Sequence, residues 1–333
     1  MKKSLGVIFV VLMCVSSVET MEPTYYTYLL PVVTRTTGAA GSFWSTEVCF
    51  TNLDWRDQSP ILVELYFIKN NSITYSDFRL NDYQTLCTPD IVDAVLGVNK
   101  WTGTLLIVTN SYGSWNPTLG ERDRFLVTAK VTNNTDNGTY GLNISPEIDH
   151  FGQSPIHWYS SASDNDDFVD AWVNGVKNFG TPGVSGYRSS IGFANLSMGI
   201  DGWDGSPVPI YQDISFVVLD RRGNGVFLYE TTTIPPFTQR QIALPSDLDI
   251  DKGSVLFSIL GEPDTLAYEA AEGVFPYLTV TDNQTGDGVY IPFKVMASSG
   301  PFTKQSGEET FSNRLIKYLR KQPIRRAPKQ LEE

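Results

Sequence analysis

The stretch Ser45-Thr46-Glu47-Val48-Cys49-Phe50-Thr51-Asn52-Leu53 returns later in the chain as Ser189-Ser190-Ile191-Gly192-Phe193-Ala194-Asn195-Leu196. A chain of 333 residues that carries one pattern twice at this distance points to two similar units of ordinary domain size rather than a solenoid of short ones. Two more pairs of landmarks keep the same order. Gly103-Thr104-Leu105-Leu106 is answered by Gly253-Ser254-Val255-Leu256, and the Asn- and Asp-rich run Val131 to Tyr140 by Val280 to Tyr290. The offsets are 143 from Phe50 to Phe193 and 150 both from Gly103 to Gly253 and from Tyr140 to Tyr290. An insertion of about seven residues accounts for the drift, and the Gly- and Pro-rich stretch Ser197 to Pro209 is its natural place, because loop-closure cost grows slowly with length. The expected modules are 25–146 and 169–297, with a linker over 147–168 and a basic tail, partly helical or disordered, over 298–333.

Local patterns specify the class. Ile61 to Ile68 alternates, with Ile61, Val63, Leu65 and Phe67 on one face and Glu64 on the other, as in a strand with one buried face. Phe125, Val127, Ala129 and Val131 alternate in the same way with Thr128, Lys130 and Thr132, which are expected in solvent. Tyr28 to Thr36 and Leu105 to Val108 read as further strands, and the Asn-Asp-Gly run after Val131 as a hairpin turn. A short helix is expected at Pro89 to Leu96, capped by Thr88 and closed by Gly97. Aromatic residues make up 12% of the chain, and long helical patterns are missing, so turn-rich β-structure is favoured. The fold class is all-β: two tandem antiparallel β-sandwich modules, immunoglobulin-like or jelly-roll-like. Phe50 and Phe193 are predicted core residues, and Asn52 and Asn195 strand-ending turn formers.

The first twenty residues read as a secretory signal peptide: Met1-Lys2-Lys3, an apolar run from Leu5 to Val15, then small and polar residues. That run is too short to span a bilayer, and no transmembrane segment is expected elsewhere. The mature chain then holds Cys49 and Cys87, which in an oxidising compartment are expected to form a disulfide. The expected location is secreted, periplasmic or cell-surface. From Lys304 onward there are 8 basic and 4 acidic residues, so residues 1–303, with 17 basic and 33 acidic, carry −16 of the net −12. An acidic body repels phosphate backbones, which argues against nucleic-acid binding. The tail, with Arg320-Lys321 and Arg325-Arg326, is read first as solvated; attachment to anionic envelope polymers and folding back on the acidic modules are its alternatives.

One segment of the first module, Gly38 to Leu53 with Ser42-Phe43-Trp44-Ser45-Thr46 leading into a strand, and two of the second, Gly186-Tyr187-Arg188-Ser189-Ser190 and Asp282 to Asp287, resemble a family of uncharacterised secreted bacterial β-sandwich domains often found in tandem. The resemblance implies a fold and an extracellular setting. It carries over no catalytic or binding residue. Cys49 and Cys87 depart from the family pattern as a local addition.

Candidate chemistry is sparse. His150 and His157 fall in the linker at a spacing that fits no compact zinc motif, and no Gly-x-Ser-x-Gly elbow is present. Asp247, Asp249 and Asp251 alternate like the start of a calcium loop, but Lys252 and Ser258 stand where such a loop needs Gly and a bidentate Glu, so they are weak calcium candidates and read first as an acidic turn. Asp282, Asp287 and the run Asp164 to Asp167 read as solvated turns. Trp44, Trp55, Trp101 and Trp115 could form sugar-stacking platforms or fill a core. Asn-x-Ser/Thr triplets occur at Asn70, Asn133, Asn137, Asn143, Asn195 and Asn283. The functional expectation is a secreted, non-enzymatic binding or structural protein of the cell envelope or extracellular space, needing no cofactor, with a surface polymer, glycan or protein as its partner. The alternative is an extracellular carbohydrate-active enzyme with carboxylates at the module interface.

Overall fold

Strand β1 (Tyr25–Thr37) belongs to both sheets of the first sandwich, because its register breaks between Leu30 and Val33. Before and through that break it pairs with β6 (Trp101–Asn110); at Thr36 and Thr37 it pairs with β2 (Phe43–Asn52). The computed structural model describes residues 25–37, 42–53, 60–110, 125–135, 138–144, 147–149, 168–181, 184–200, 206–260, 273–295, 311–329 and 331. The first sandwich is completed by β3 (Ile61–Lys69), β4 (Ser72–Leu80), β5 (Thr85–Thr88), α1 (Ile91–Leu96), β7 (Phe125–Thr135), β8 (Gly138–Ile144) and β9 (Glu147–Asp149). One sheet runs β4-β3-β6-β1 with β9 also on β1; the facing sheet runs β2-β7-β8 with β5 on the other side of β2. Helix α1 is closed by Gly97 as expected, but its N-cap is Asp90, whose carboxylate accepts from Asp93 N, and not Thr88. The first module extends through β9 to Asp149; the remaining residues of the expected linker before β10 lie outside the described residues.

The second sandwich holds β10 (Phe168–Thr181), β11 (Ser185–Asn195), a small hairpin of β12 (Met198–Ile200) and β13 (Pro207–Pro209), then β14 (Gln212–Leu219), β15 (Gly225–Ile234), β16 (Thr238–Ala243), β17 (Ile250–Leu260), β18 (Val274–Asp282), β19 (Gly288–Pro292) and β20 (Lys294–Val295). Helix α2 (Phe311–Lys321) and β21 (Arg325–Arg326) follow. Every pairing of the first sandwich has a counterpart. β10 pairs with β11, β17 and β20 as β1 pairs with β2, β6 and β9; β11 pairs with β16 and β18 as β2 does with β5 and β7; β14 pairs with β15 and β17 as β3 does with β4 and β6. The hairpin β12–β13 sits where the inserted residues are expected: sixteen residues separate β11 from β14, against eight between β2 and β3. Side chains repeat as well. Thr46 Oγ1 accepts from Thr34 N at 2.7 Å and donates to Thr34 O at 3.1 Å, while Ser189 Oγ accepts from Lys177 N at 3.1 Å and donates to Lys177 O at 2.7 Å. The third landmark does not align in the ladders: Tyr140 lies opposite Asn133, whereas Tyr290 lies opposite Thr279, because the turn between β18 and β19 is longer than that between β7 and β8.

Phe50 and Phe193 have no exposed surface and sit in the two sandwich cores. Asn52 and Asn195 end their strands and are fully buried, and Asn195 forms the expected turn, its Oδ1 accepting from Ser197 N at 3.0 Å. Asn52 Nδ2 donates to Leu80 O at 3.3 Å and Asn195 Nδ2 to Ile234 O at 3.0 Å, so each ties its strand end to the end of β4 or β15 in the facing sheet. Such a bond satisfies a buried amide and fixes how the two sheets stack. Thr132 is also buried, against expectation, because its hydroxyl is within 2.9 Å of Ser45 Oγ.

The predicted disulfide is formed: Cys49 and Cys87 lie opposite each other on β2 and β5, with an S–S distance of 2.04 Å. Their counterparts by pairing are Gly192 and Gln241. The reason is packing. A Cβ on Gly192 would lie 2.0 Å from Tyr277 Cζ, so only glycine leaves room for that ring. Tyr277 is fully buried, receives a 2.6 Å hydrogen bond on its hydroxyl from Gln239 Nε2, and joins Tyr290 in the core of the first sandwich beside residues such as Leu142 and Val131. The outer face of the second sandwich therefore plugs an open side of the first, and the two cores are not independent.

The C-terminal segment departs most from expectation. Leu315, Ile316 and Leu319 are at most 2% exposed, packed with Leu29, Tyr66, Ile68, Leu106 and Val108 of the first module and Leu196, Met198, Phe237 and Phe275 of the second. An isolated helix of eleven residues is marginal in water. Three buried aliphatic side chains, each contributing about 2 kcal/mol, make it stable here. The chain then adds β21 parallel to the edge of β4, and Arg320, Arg326 and Lys329 pair with Glu64, Asp77 and Asp93. The tail is thus folded back on the acidic first module rather than solvated. Strand β3 is in consequence buried on both faces from Val63 to Ile68, Glu64 included.

Candidate functional site

Four segments that are far apart in sequence meet at one seam. The hairpin from β3 to β4 turns through Asn70 and Asn71, both left-handed with φ of 49° and 61°, the geometry of a two-residue turn matched to strand twist. The turn from β15 to β16 carries Pro236 and Phe237, and Phe237 is held at φ 55°, a strained position for a bulky side chain. Two backbone bonds hold it there: Phe237 N donates to Asn195 O at 2.7 Å, and Phe237 O accepts from Asn71 N at 3.2 Å. The same residue thereby joins the two modules. Tyr318 of α2 stacks on its ring, with centroids 5.5 Å apart and planes at 13°.

Around this point lies a groove of about 380 Å³ lined by Asn71, Ile73, Pro209, Pro236, Phe237, Tyr318, Gln322, Pro323 and Ile324. No lining residue carries a formal charge. The polar groups are two amides and one phenol, and burial pushes the Tyr318 hydroxyl above the usual tyrosine range, so it stays a neutral donor. Junctions between domains are a common place for ligand sites.

Glu64 is the buried carboxylate of this region, and its environment fits a clasp. Its Oε2 accepts from Arg320 Nη2 at 2.5 Å, and its Oε1 lies 3.5 Å from the Tyr66 hydroxyl and 3.4 Å from that of Tyr75. Burial, followed by the charge of Glu64, pushes the Tyr66 hydroxyl far up, and burial with the charges of Glu64 and Asp77 pushes Tyr75 up to about 12. Both phenols stay protonated and face the carboxylate, which is already matched by a guanidinium.

The sequence candidates fall elsewhere. Asp247, Asp249 and Asp251 are exposed at the entry to β17, and among the described residues no group of three or more His, Cys, Asp or Glu side chains is arranged to hold a metal ion. Asp282 accepts from the backbone N–H groups of Gln284 and Thr285, both at 2.8 Å, which hold its carboxyl below the usual range and make it a turn former. Trp44 and Trp101 pack against the first core, so neither is an open stacking platform. His150, His157, Trp55, Trp115, Asn137 and Asp164 to Asp167 lie outside the described residues. Of the Asn-x-Ser/Thr triplets, those at Asn133, Asn195 and Asn283 begin with a buried Asn. No helix among the described residues is long and apolar enough to cross a membrane.

Sequence reasoning missed the groove because its residues are separated by up to some 250 positions and none belongs to a motif. The one local signal was the helical spacing ending at Pro323. No protein-family model matches the chain, and no curated protein or solved structure proved similar to it.

Proposed function

We propose that the chain is a secreted, non-enzymatic binding or structural protein of the cell envelope or extracellular space, and that the groove at the seam receives a neutral glycan. The observation that carries this reading is the uncharged lining, in which the Asn71 and Gln322 amides and the Tyr318 phenol stand among prolines and aromatic rings. Neutral sugars are held by such a combination of amide hydrogen bonds and apolar ring contact. The leader-like N-terminus supports secretion, and the Cys49–Cys87 disulfide fits an oxidising compartment. The matching strand pairings support a duplication, and the motifs quoted above, read from the sequence, suggest a bacterial family of tandem sandwich domains. Glu64 is held by Arg320 and is not free to act as an acid or base.

The test is a glycan and surface-polymer array with the purified chain, followed by calorimetry on any hit. Gln322→Ala should weaken binding about tenfold, the cost of one or two hydrogen bonds in a partly enclosed site. Absence of any bound glycan, or equal binding by the variant, would overturn the assignment. Turnover of a bound polysaccharide would favour the carbohydrate-active enzyme instead.

A further inference from the structure

In the first module, four side chains form a row across the outer face of one sheet: Leu29 lies opposite Leu106, Leu106 opposite Tyr66, and Tyr66 opposite Tyr75. Helix α2 covers this row with Leu315, Ile316 and Leu319. The strand correspondence places Trp172, Leu256, Val217 and Leu228 in the same row of the second module, again each opposite the next. All four are apolar. Here the row is open: Leu228 is 64% exposed, Val226 beside it on β15 is 37% exposed, and Trp172, Leu256 and Val217 are half-buried. The edges differ in parallel. β4 is capped by β21, whereas β15 ends its sheet among the described strands.

We infer that the outer face of the second module is a docking site for an amphipathic α-helix of a partner chain, bound as α2 is bound to the first module. The occupant is specified by what the equivalent face holds. It is a helix with an apolar stripe at the spacing of Leu315, Ile316 and Leu319. It differs from α2 in one respect. Glu64, which receives Arg320 on the first face, corresponds to Ser215 on the second, since Glu64 lies opposite Val108 and Ser215 opposite the equivalent Ser258. With Ser215 in place of the buried Glu64, the face calls for no arginine at that helix position, and the partner helix carries an apolar or small residue there. This face is separate from the groove, and the inference does not depend on the glycan reading.

The probe is a labelled synthetic peptide of residues 311–321 carrying Arg320→Leu, titrated into the full chain and followed by anisotropy and tryptophan emission. Saturable binding is expected, with a blue shift that Trp172→Phe removes. Leu228→Asp, a change at an exposed position that leaves thermal unfolding in place, should weaken binding at least tenfold. Lack of saturable binding, or binding that Leu228→Asp leaves unchanged, overturns the inference. A concentration-dependent dimer of the chain that Leu228→Asp dissociates would identify a second copy as the occupant and overturn it as well.

Discussion

Gly192 is the position where a single added carbon has the largest calculable effect. In Gly192→Ala the new Cβ would sit 2.0 Å from Tyr277 Cζ, 2.3 Å from its hydroxyl oxygen and 2.4 Å from Cε2, against a normal contact of roughly 3.5 Å or more. The ring cannot absorb this by a small shift, because it is fully buried and its hydroxyl is bonded to Gln239. Overpacking of this kind costs about 1–3 kcal/mol. Displacing the ring also breaks the Gln239 bond, which adds about 1 kcal/mol. The sum is about 3 kcal/mol. The loss should appear as a lower urea midpoint with an unchanged slope. Hydrogen exchange should localise it to β18 and to β8, because Tyr277 plugs the first core from the second module. Tyr277→Ala should be destabilising alone, and adding Gly192→Ala to it should cost much less than 3 kcal/mol, since the clash partner is gone. An unaltered midpoint for Gly192→Ala, or full additivity in the double variant, would refute the packing argument that explains why the second module has no disulfide.

Reduction of Cys49–Cys87, which spans a sequence separation of 38, should lower stability by up to about 4 kcal/mol, read as a shift of the urea midpoint with and without reductant. Arg320→Leu leaves Glu64 8% exposed without its counter-ion; because the Arg320 side chain is itself 35% exposed, the expected loss is about 2 kcal/mol rather than the larger cost of a sealed pair, and Glu64→Leu added to it should restore much of the melting temperature. Stability should fall in alkali: Tyr66 and Tyr75 have folded-state values above the ordinary 10, so their contribution is complete below pH 10 and is lost as pH rises towards about 12 and beyond. Tyr66→Phe should flatten that decline in pH-dependent unfolding, and a phenol titrating near 12 should disappear in Tyr75→Phe.

Much of the fold was legible because it is encoded by short-range pattern. The alternation in Ile61 to Ile68, the turn residues after Val131, and the Phe-x-Asn that ends both β2 and β11 each act within about ten residues, so they report strands and hairpins directly. The cysteines were legible for a similar reason, as two partners in a chain read as exported. Where the reading went astray, a distant element had intervened. Glu64 looked like a solvated strand residue until α2 covered it. Thr132 looked exposed until Ser45 took its hydroxyl. The basic tail looked solvated because nothing local says that its cations meet Glu64, Asp77 and Asp93.

The sequence by itself determined that the chain is all-β, that its landmarks come in pairs and that Cys49 has a partner in Cys87, since these follow from side-chain period, turn chemistry and residue identity. Only the tertiary structure decided how the two sandwiches join, why Gly192 leaves no room for a side chain where the first module has Cys49, and where a groove forms. Those outcomes depend on which outer faces are covered. Apolar side chains on a sheet's outer face look the same in sequence whether they meet water, a tyrosine from the neighbouring module or a helix more than two hundred residues away.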